Sequence, residues 1–324
     1  MNPYIGHDSQ IYGIEEHRLV GGKGDGLRLY EVNNGKGLML TVSPDRNGDI
    51  TRLRFKGINM SYMSPSGYAA PAYFNGFGDN WKVSFTAGFL TTCGLENVSC
   101  CCTDDGEELP FHGSIGNRPC EQAYWTEEDG KLVIHTVTKD EVLFGRKLRL
   151  ERRIEVSTEE NSFEICDVVK NTGDRVEPME LLYHMNMGYP LLDEDSIVKI
   201  SSAEVIPYDD HAAEDIANWM HMEKPTPNCQ ERCYLHKFAD KNGKASIFQP
   251  KLGMGLSITF DTEELDSFVE WKSMGVRDYA LGLECGNCYP GGRDIMRKTG
   301  MLKFMQPGEV KEYHVKITMM EENH

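Results

Sequence analysis

The sequence predicts an all-β protein built from antiparallel strands, and three observations carry that prediction. Apolar and polar residues alternate over Lys131–Lys139, Lys147–Val156 and Ser162–Lys170, the period of a half-buried strand. The turns between these runs are polar and too short for the crossovers that parallel strands need. Helical periodicity is scarce throughout.

Taken in order, Leu27–Leu40 and Asp49–Phe55 read as short strands punctuated by turns at Asn34-Gly35 and Asn47-Gly48. Ser64–Phe77 is rich in Gly, Pro, Ala and aromatic residues without a period, which suits an irregular segment lining a cleft. Phe85–Val98 is rich in small residues, as expected where backbone runs close to another element or a ligand. Within Lys147–Val156, residues Leu148, Leu150, Arg152, Ile154 and Val156 share one face. Turns at Ser157–Asn161 and Asn171–Asp174 lead into Met179–Leu192, a strand carrying His184 and Asn186 that ends at Gly188 and Pro190. Asp210–Met220 is the one predicted helix, with acidic residues early in it. Strands return at Ser246–Gln249, Gly255–Phe260, Ser267–Lys272, Tyr279–Glu284, Gly300–Phe304 and Glu312–Met319. Neither an internal repeat nor a linker divides the chain, so residues 1–324 read as one domain, with 1–26 as an N-terminal extension.

Composition narrows the function. The 324 residues are 40% hydrophobic and 26% charged, ordinary for a soluble globular protein. With 51 acidic against 34 basic residues, the formal charge of −17 argues against nucleic acid and anionic membranes and favours a small-molecule partner. No basic segment followed by an apolar run opens the chain, and no stretch approaches the roughly 18 apolar residues of a membrane span. The expected location is cytoplasmic, with the ten cysteines reduced.

Candidate chemistry gathers at strand ends. His112 lies in a Pro/Gly-flanked loop, Leu109-Pro-Phe-His-Gly113, with Arg118 close behind. His184 ends one strand, and Trp271-Lys272 end another. Glu284 closes the apolar strand Tyr279–Glu284, where an unpaired buried carboxylate is costly and is therefore exposed, paired or held for function.

The motifs Thr-Cys-Gly-Leu95, His112-Gly113, Tyr183-His184-Met185-Asn186 and Leu283-Glu284 stand in the order and rough spacing of galactose mutarotase-like proteins. The chain resembles the aldose 1-epimerase family, and within it the DUF4432 branch, from about Leu27 to Met319. The resemblance implies a galactose mutarotase-like supersandwich, a large antiparallel β-sandwich with a carbohydrate cleft on one concave sheet. It implies an isomerase that opens and recloses a sugar hemiacetal without cofactor or metal. His184 resembles the acid that protonates the ring oxygen, and Glu284 the base that takes the anomeric proton. His112 resembles a histidine that binds and orients the sugar, and Asn186 is retained after the catalytic histidine. Arg118, Lys272 and Lys82 are further basic candidates for an acidic substituent on the sugar. Beyond Asn186, the sequence Met-Gly-Tyr-Pro-Leu-Leu lacks the family's usual aromatic, so substrate preference does not transfer. The alternatives are a non-catalytic carbohydrate-binding protein, or an isomerase or lyase acting on a modified sugar with the same His/Glu pair.

Other signals carry less. Cys285-Gly-Asn-Cys288 and Cys229…Cys233 with His236 lack convincing zinc spacing and read as free thiols. Gly21–Gly26 resembles a phosphate loop in composition only, and no Gly-x-Ser-x-Gly elbow is present.

Overall fold

A computed structural model describes residues 3–322. Its frame is three antiparallel sheets. The alternating segments read from the sequence join an eight-stranded sheet in the order Ile197–Ile200, Asn242–Gln249, Met254–Asp261, Val310–Glu321, Ser162–Asn171, Lys147–Ser157, Lys131–Glu141 and Gln122–Glu128. A five-stranded meander runs through Gly13–Arg18, Arg28–Asn33, Leu38–Ser43, Asp49–Phe55 and Ile58–Asn59. The third sheet is built from β1 (Leu90–Leu95), β2 (Glu180–Met187), β3 (Glu204–Pro207), β4 (Arg232–Lys237), β5 (Ser267–Met274) and β6 (Tyr279–Gly286). Its spatial order is β3-β4-β5-β6-β2-β1. Among the described residues no helix is long and apolar enough to cross a membrane.

Period-two alternation explains how the sheets pack. Leu148, Leu150, Ile154 and Val156 from the large sheet share one apolar cluster with Tyr183, Met185, Leu281 and Leu283 from the six-stranded sheet. The opposite face of β1, β2 and β5 carries Cys93, Leu182 and Val269, which pack in a second, smaller cluster with Cys288 and Met296. The six-stranded sheet therefore has a core face and an outer face, and the parity of each residue decides which one it reaches.

Arg152 departs from the apolar pattern of its own strand. It stands where leucine or valine is expected and is fully buried. Its Nε and Nη2 donate to the two Asp167 oxygens at 2.8 and 2.7 Å, and Nη1 donates to Asp49 Oδ1 at 2.9 Å. Nη2 also donates to Thr92 Oγ1 at 2.9 Å, and the Tyr183 hydroxyl donates to Asp167 Oδ2 at 2.8 Å. One guanidinium thus touches all three sheets. Burial works against its charge, and Asp167 and Asp49 restore it.

Two sequence expectations differ in extent. The helix predicted over Asp210–Met220 is limited to Asp210–Ala213, capped by Asp209, and a single 3-10 turn at Ile216–Asn218. Beyond it the Asn218 and His221 carbonyls accept from Lys272 Nζ at 3.5 and 2.6 Å. Gly300–Phe304 yields only the two-residue strand Phe304–Met305, and the helix Arg293–Lys298 before it was not anticipated. That helix is anchored by Arg293 and Arg297 on Asp104, a partnership across about 190 residues of sequence that no local pattern announces.

Replacing Arg152 with methionine leaves Asp167 and Asp49 buried without their counter-charge. The expected loss is about 3–5 kcal/mol of unfolding free energy, the cost of breaking a buried pair from one side. Urea denaturation followed by circular dichroism checks it, and a change below about 1 kcal/mol contradicts the role given to this residue.

Candidate active site

Strands β2 and β6 pair antiparallel in a register that sets His184 directly opposite Glu284. Both side chains rise from the outer face of the sheet, His184 5% and Glu284 3% exposed. His184 Nε2 and Glu284 Oε1 are 3.2 Å apart. The contact lacks the directionality of a hydrogen bond, and Glu284 Oε1 and His184 Nδ1 have no hydrogen-bond partner among the described residues. Buried polar atoms without partners are rare in folded proteins, so the pair keeps donor and acceptor capacity in reserve.

The neighbours on the same face follow from alternation. Asn186, two residues beyond His184, donates through Nδ2 to the Gly88 and His184 carbonyls at 3.1 and 3.0 Å, while its buried Oδ1 has no partner. Across from Asn186 lies Gly282. A Cβ there would stand 2.3 Å from Glu284 Oε1, so the missing side chain is the space into which the carboxylate leans. Beside Gly282, Trp271 sets its ring 5.4 Å from the His184 ring and donates Nε1 to Glu231 Oε2 at 2.8 Å.

His112 reaches the same place from a loop. The Gly94 amide donates to the His112 carbonyl at 3.0 Å, and the His112 amide donates to Ser99 O at 2.8 Å. The loop lies so close to β1 that a Cβ on Gly113, at φ +70°, would meet Gly94 O at 2.1 Å. Only glycine fits there. Nδ1 of His112 accepts from the Ser99 amide at 3.2 Å, which puts the ring proton on Nε2 and makes that nitrogen a donor. The His112 and His184 rings are 5.4 Å apart. Phe85 stands 6.0 Å from the His184 ring, and Trp81 stacks on Phe111 at 4.0 Å, so aromatic faces wall the pair. A cavity of about 20 Å³, room for a single water, lies among Trp81, Phe85, Thr91 and His112.

Burial dominates the electrostatics. It lowers His184 to about 4, with Asn186 pulling weakly the other way. Burial also pushes Glu284 well above the usual carboxylate range, with Glu231 adding to the rise. His112 is lowered by burial and by His184. Both histidines are therefore neutral at pH 7. Desolvation disfavours the charged form of each partner, so it favours a protonated carboxyl beside a neutral imidazole over an ion pair.

Four of the six site residues read from the sequence thus gather here, His184, Glu284, Asn186 and His112. Two do not. Arg118 turns onto Asp140, Nη2 to Oδ1 at 3.0 Å, and donates Nε to Ser114 Oγ at 3.0 Å. Its guanidinium is taken up by a carboxylate of the large sheet. Lys272 follows Trp271 on β5 and so faces the core side, where Nζ donates to His221 O at 2.6 Å and pairs with Glu223. Lys82 is paired with Asp79 in solvent at 2.6 Å. The cysteines are free thiols; Cys285 and Cys288 belong to different apolar clusters, and Cys233 and His236 point to opposite faces of β4. Gly282 and the Trp81/Phe85 wall were not singled out from sequence. A glycine inside an apolar strand and a small-residue segment following an aromatic one were the signals.

The sequence model of a family described as "Domain of unknown function (DUF4432)" matches residues 24–319. No curated protein matches the chain. Among solved structures, a "putative aldose 1-epimerase" of Klebsiella pneumoniae superposes with a TM-score of 0.89 at 24% identity, covering 97% of this chain and 86% of that one. A galactose 1-epimerase of Lactobacillus acidophilus gives 0.66 at 14% identity, covering 96% and 100%. A galactose mutarotase-like protein of Clostridium acetobutylicum gives 0.65 at 15%, covering 96% and 99%. At these identities the likeness shows the fold, which is galactose mutarotase-like.

Histidine-selective NMR across pH 3–8 tests the burial of the pair. The His184 ring is expected to stay neutral through the range where free histidine titrates and to protonate only near pH 4. A midpoint near the unperturbed value of about 6.5 contradicts the buried geometry.

Proposed function

The chain belongs to the DUF4432 family, and from that premise we propose that it is a cofactor-independent aldose 1-epimerase, interconverting the anomers of a monosaccharide by acid–base ring opening and reclosure. The observation that carries the reading is the cross-strand His184–Glu284 pair, 3.2 Å apart, buried, and holding unpartnered polar atoms.

The reaction suits that spacing. The ring oxygen and the anomeric hydroxyl of a hemiacetal are bonded to the same carbon, so the groups that exchange protons with them must themselves be close neighbours. Opening delivers one proton to the ring oxygen and removes one from the anomeric hydroxyl. A pair carrying a single proton meets both needs, because one partner donates as the other accepts and the total is unchanged. With His184 as the acid and Glu284 as the base, the reactive form is the imidazolium–carboxylate. It lies one proton transfer from the neutral pair, and sugar hydroxyls supply the hydrogen bonds that make it accessible in a buried site. The C1–C2 bond of the open aldehyde then rotates, and reclosure runs the two transfers backwards. His112, presenting Nε2–H, orients a sugar oxygen, and Asn186 Oδ1 accepts from a hydroxyl. Trp271 and Phe85 offer apolar surface to the sugar's C–H faces.

Exchange NMR across a panel of aldoses and uronates, corrected for spontaneous mutarotation, tests the activity. Glu284→Gln and His184→Gln are each expected to slow the responding sugar by about 10²–10⁴-fold. Retained activity in either variant removes that residue from the mechanism, and no acceleration of any sugar by the native protein removes the proposal.

The pH dependence has a defined sign. A second proton arrives on the pair as pH falls through about 4, and the single proton is lost as pH rises through the raised Glu284 value. The corrected kcat/KM is therefore expected to be bell-shaped, with an acid limb near pH 4 and an alkaline limb far above the ordinary carboxylate range. Gly282→Ala drives a methyl group into the Glu284 carboxylate and is expected to lower kcat by tenfold or more; an unchanged kcat contradicts the positioning given to Gly282.

A further inference from the structure

A second cavity, about 280 Å³, opens where the five-stranded meander meets the turn between β5 and β6. It lies just below the roughly 300–1,000 Å³ typical of small-molecule pockets. Arg52, Arg277, Asn59, Tyr62, Tyr189 and Tyr279 line it, and neither His184, Glu284 nor His112 does.

Its charge sets it apart. Arg52 is held on Tyr68, donating Nε to the tyrosine hydroxyl at 3.1 Å with the guanidinium 5.7 Å from the ring centre. Its remaining contact is Nη2 to the Met63 thioether at 3.8 Å. Arg277 is exposed on the turn and makes no ion pair, and neither arginine has a carboxylate partner among the described residues. In a chain with 51 acidic residues against 34 basic ones, two arginines lining one cavity without a counter-charge are unusual. A half-buried guanidinium also bears a desolvation cost that a bound anion would offset.

The surrounding groups are fixed. Asn59 Nδ2 donates to Ser61 O at 2.7 Å and to Tyr189 O at 2.8 Å, tying the 188–190 turn to the meander. The Tyr279 hydroxyl donates to Glu223 O at 2.6 Å. Asp278, the acidic residue next to Arg277, engages the Tyr62 hydroxyl. What is left to a ligand is the outer edge of two guanidiniums.

We propose that the cavity between Arg52 and Arg277 binds the phosphate group of a small molecule, at a place distinct from the His184–Glu284 pair. Two planar forks present more N–H donors than the two oxygens of a carboxylate receive, whereas a phosphate monoester offers three oxygens and close to two negative charges. The net charge of −17 repels anions at long range, so retention depends on this local pair.

Arg277 also supplies a decisive variant. It holds φ +70°, a left-handed conformation that glycine adopts without cost. Arg277→Gly removes the guanidinium while relieving the backbone, so it folds at least as well as the native chain. Calorimetric titration of the full chain with inorganic phosphate and with glucose 6-phosphate, at constant ionic strength set by KCl, is the test. Saturable binding of a phosphate probe, weakened tenfold or more by Arg277→Gly and by Arg52→Gln and retained in Glu284→Gln, is expected. Whichever probe binds tighter identifies the source as free phosphate or an ester. Absence of saturable binding, binding unchanged in Arg277→Gly, or loss of binding in Glu284→Gln overturns the proposal.

Discussion

The buried guanidinium of Arg152 is the contact on which the rest of the molecule depends. Three sheets meet at it, through Asp49 from the meander, Asp167 from the large sheet, and Thr92 from β1 of the six-stranded sheet. Taking these charges out of water is expensive, and the network recovers the cost only because every partner is placed at once. Asp49 binds Thr92 through both its hydroxyl and its amide, at 2.5 and 2.9 Å, and Tyr183 is tied through Asp167. Such an arrangement sets the position of the sheets more sharply than apolar packing alone, which tolerates sliding.

That positioning reaches the candidate site through strand parity. Tyr183 and Thr92 face the core, so their neighbours His184 and Thr91 face outward, paired with each other across β2 and β1. The network therefore anchors the backbone immediately behind the His184–Glu284 pair. On the outer face, Gly282 makes room for the Glu284 carboxylate, and Trp271, Phe85 and His112 pack their rings around His184 and shield it from water. The same exclusion of water lowers His184 and raises Glu284. Packing and proton chemistry are one arrangement seen from two sides.

How much of this was legible in the sequence depends on the range of the signal. Alternation is local, and it marks the central strands of the large sheet, while the strands bearing His184 and Glu284 show as apolar runs; the edge strands Gln122–Glu128 and Ile197–Ile200 are not legible that way. The apolar face of Lys147–Val156 also carries Arg152, and its partners Asp167 and Asp49 lie on other strands, where alternation does not reveal them. Lys272 is the counter-example. It ends the same strand as Trp271, yet adjacent residues on a strand point to opposite faces, and the aromatic has the outer one. Arg118 failed for a different reason. It follows a 3-10 turn, its partner Asp140 lies on a strand of the large sheet, and such a distant pairing leaves no mark in a local pattern. The short helix Arg293–Lys298 and the Arg52–Arg277 cavity are likewise assembled from distant segments.

The central claim is that His184 and Glu284 act as one unit holding a single transferable proton. A double-mutant cycle on the anomerisation rate, comparing His184→Gln, Glu284→Gln and the combined variant, tests it most directly. Removing either partner already breaks the exchange, so the double variant is predicted to be no slower than the worse single one. Losses that multiply would show two independent contributions and contradict the account.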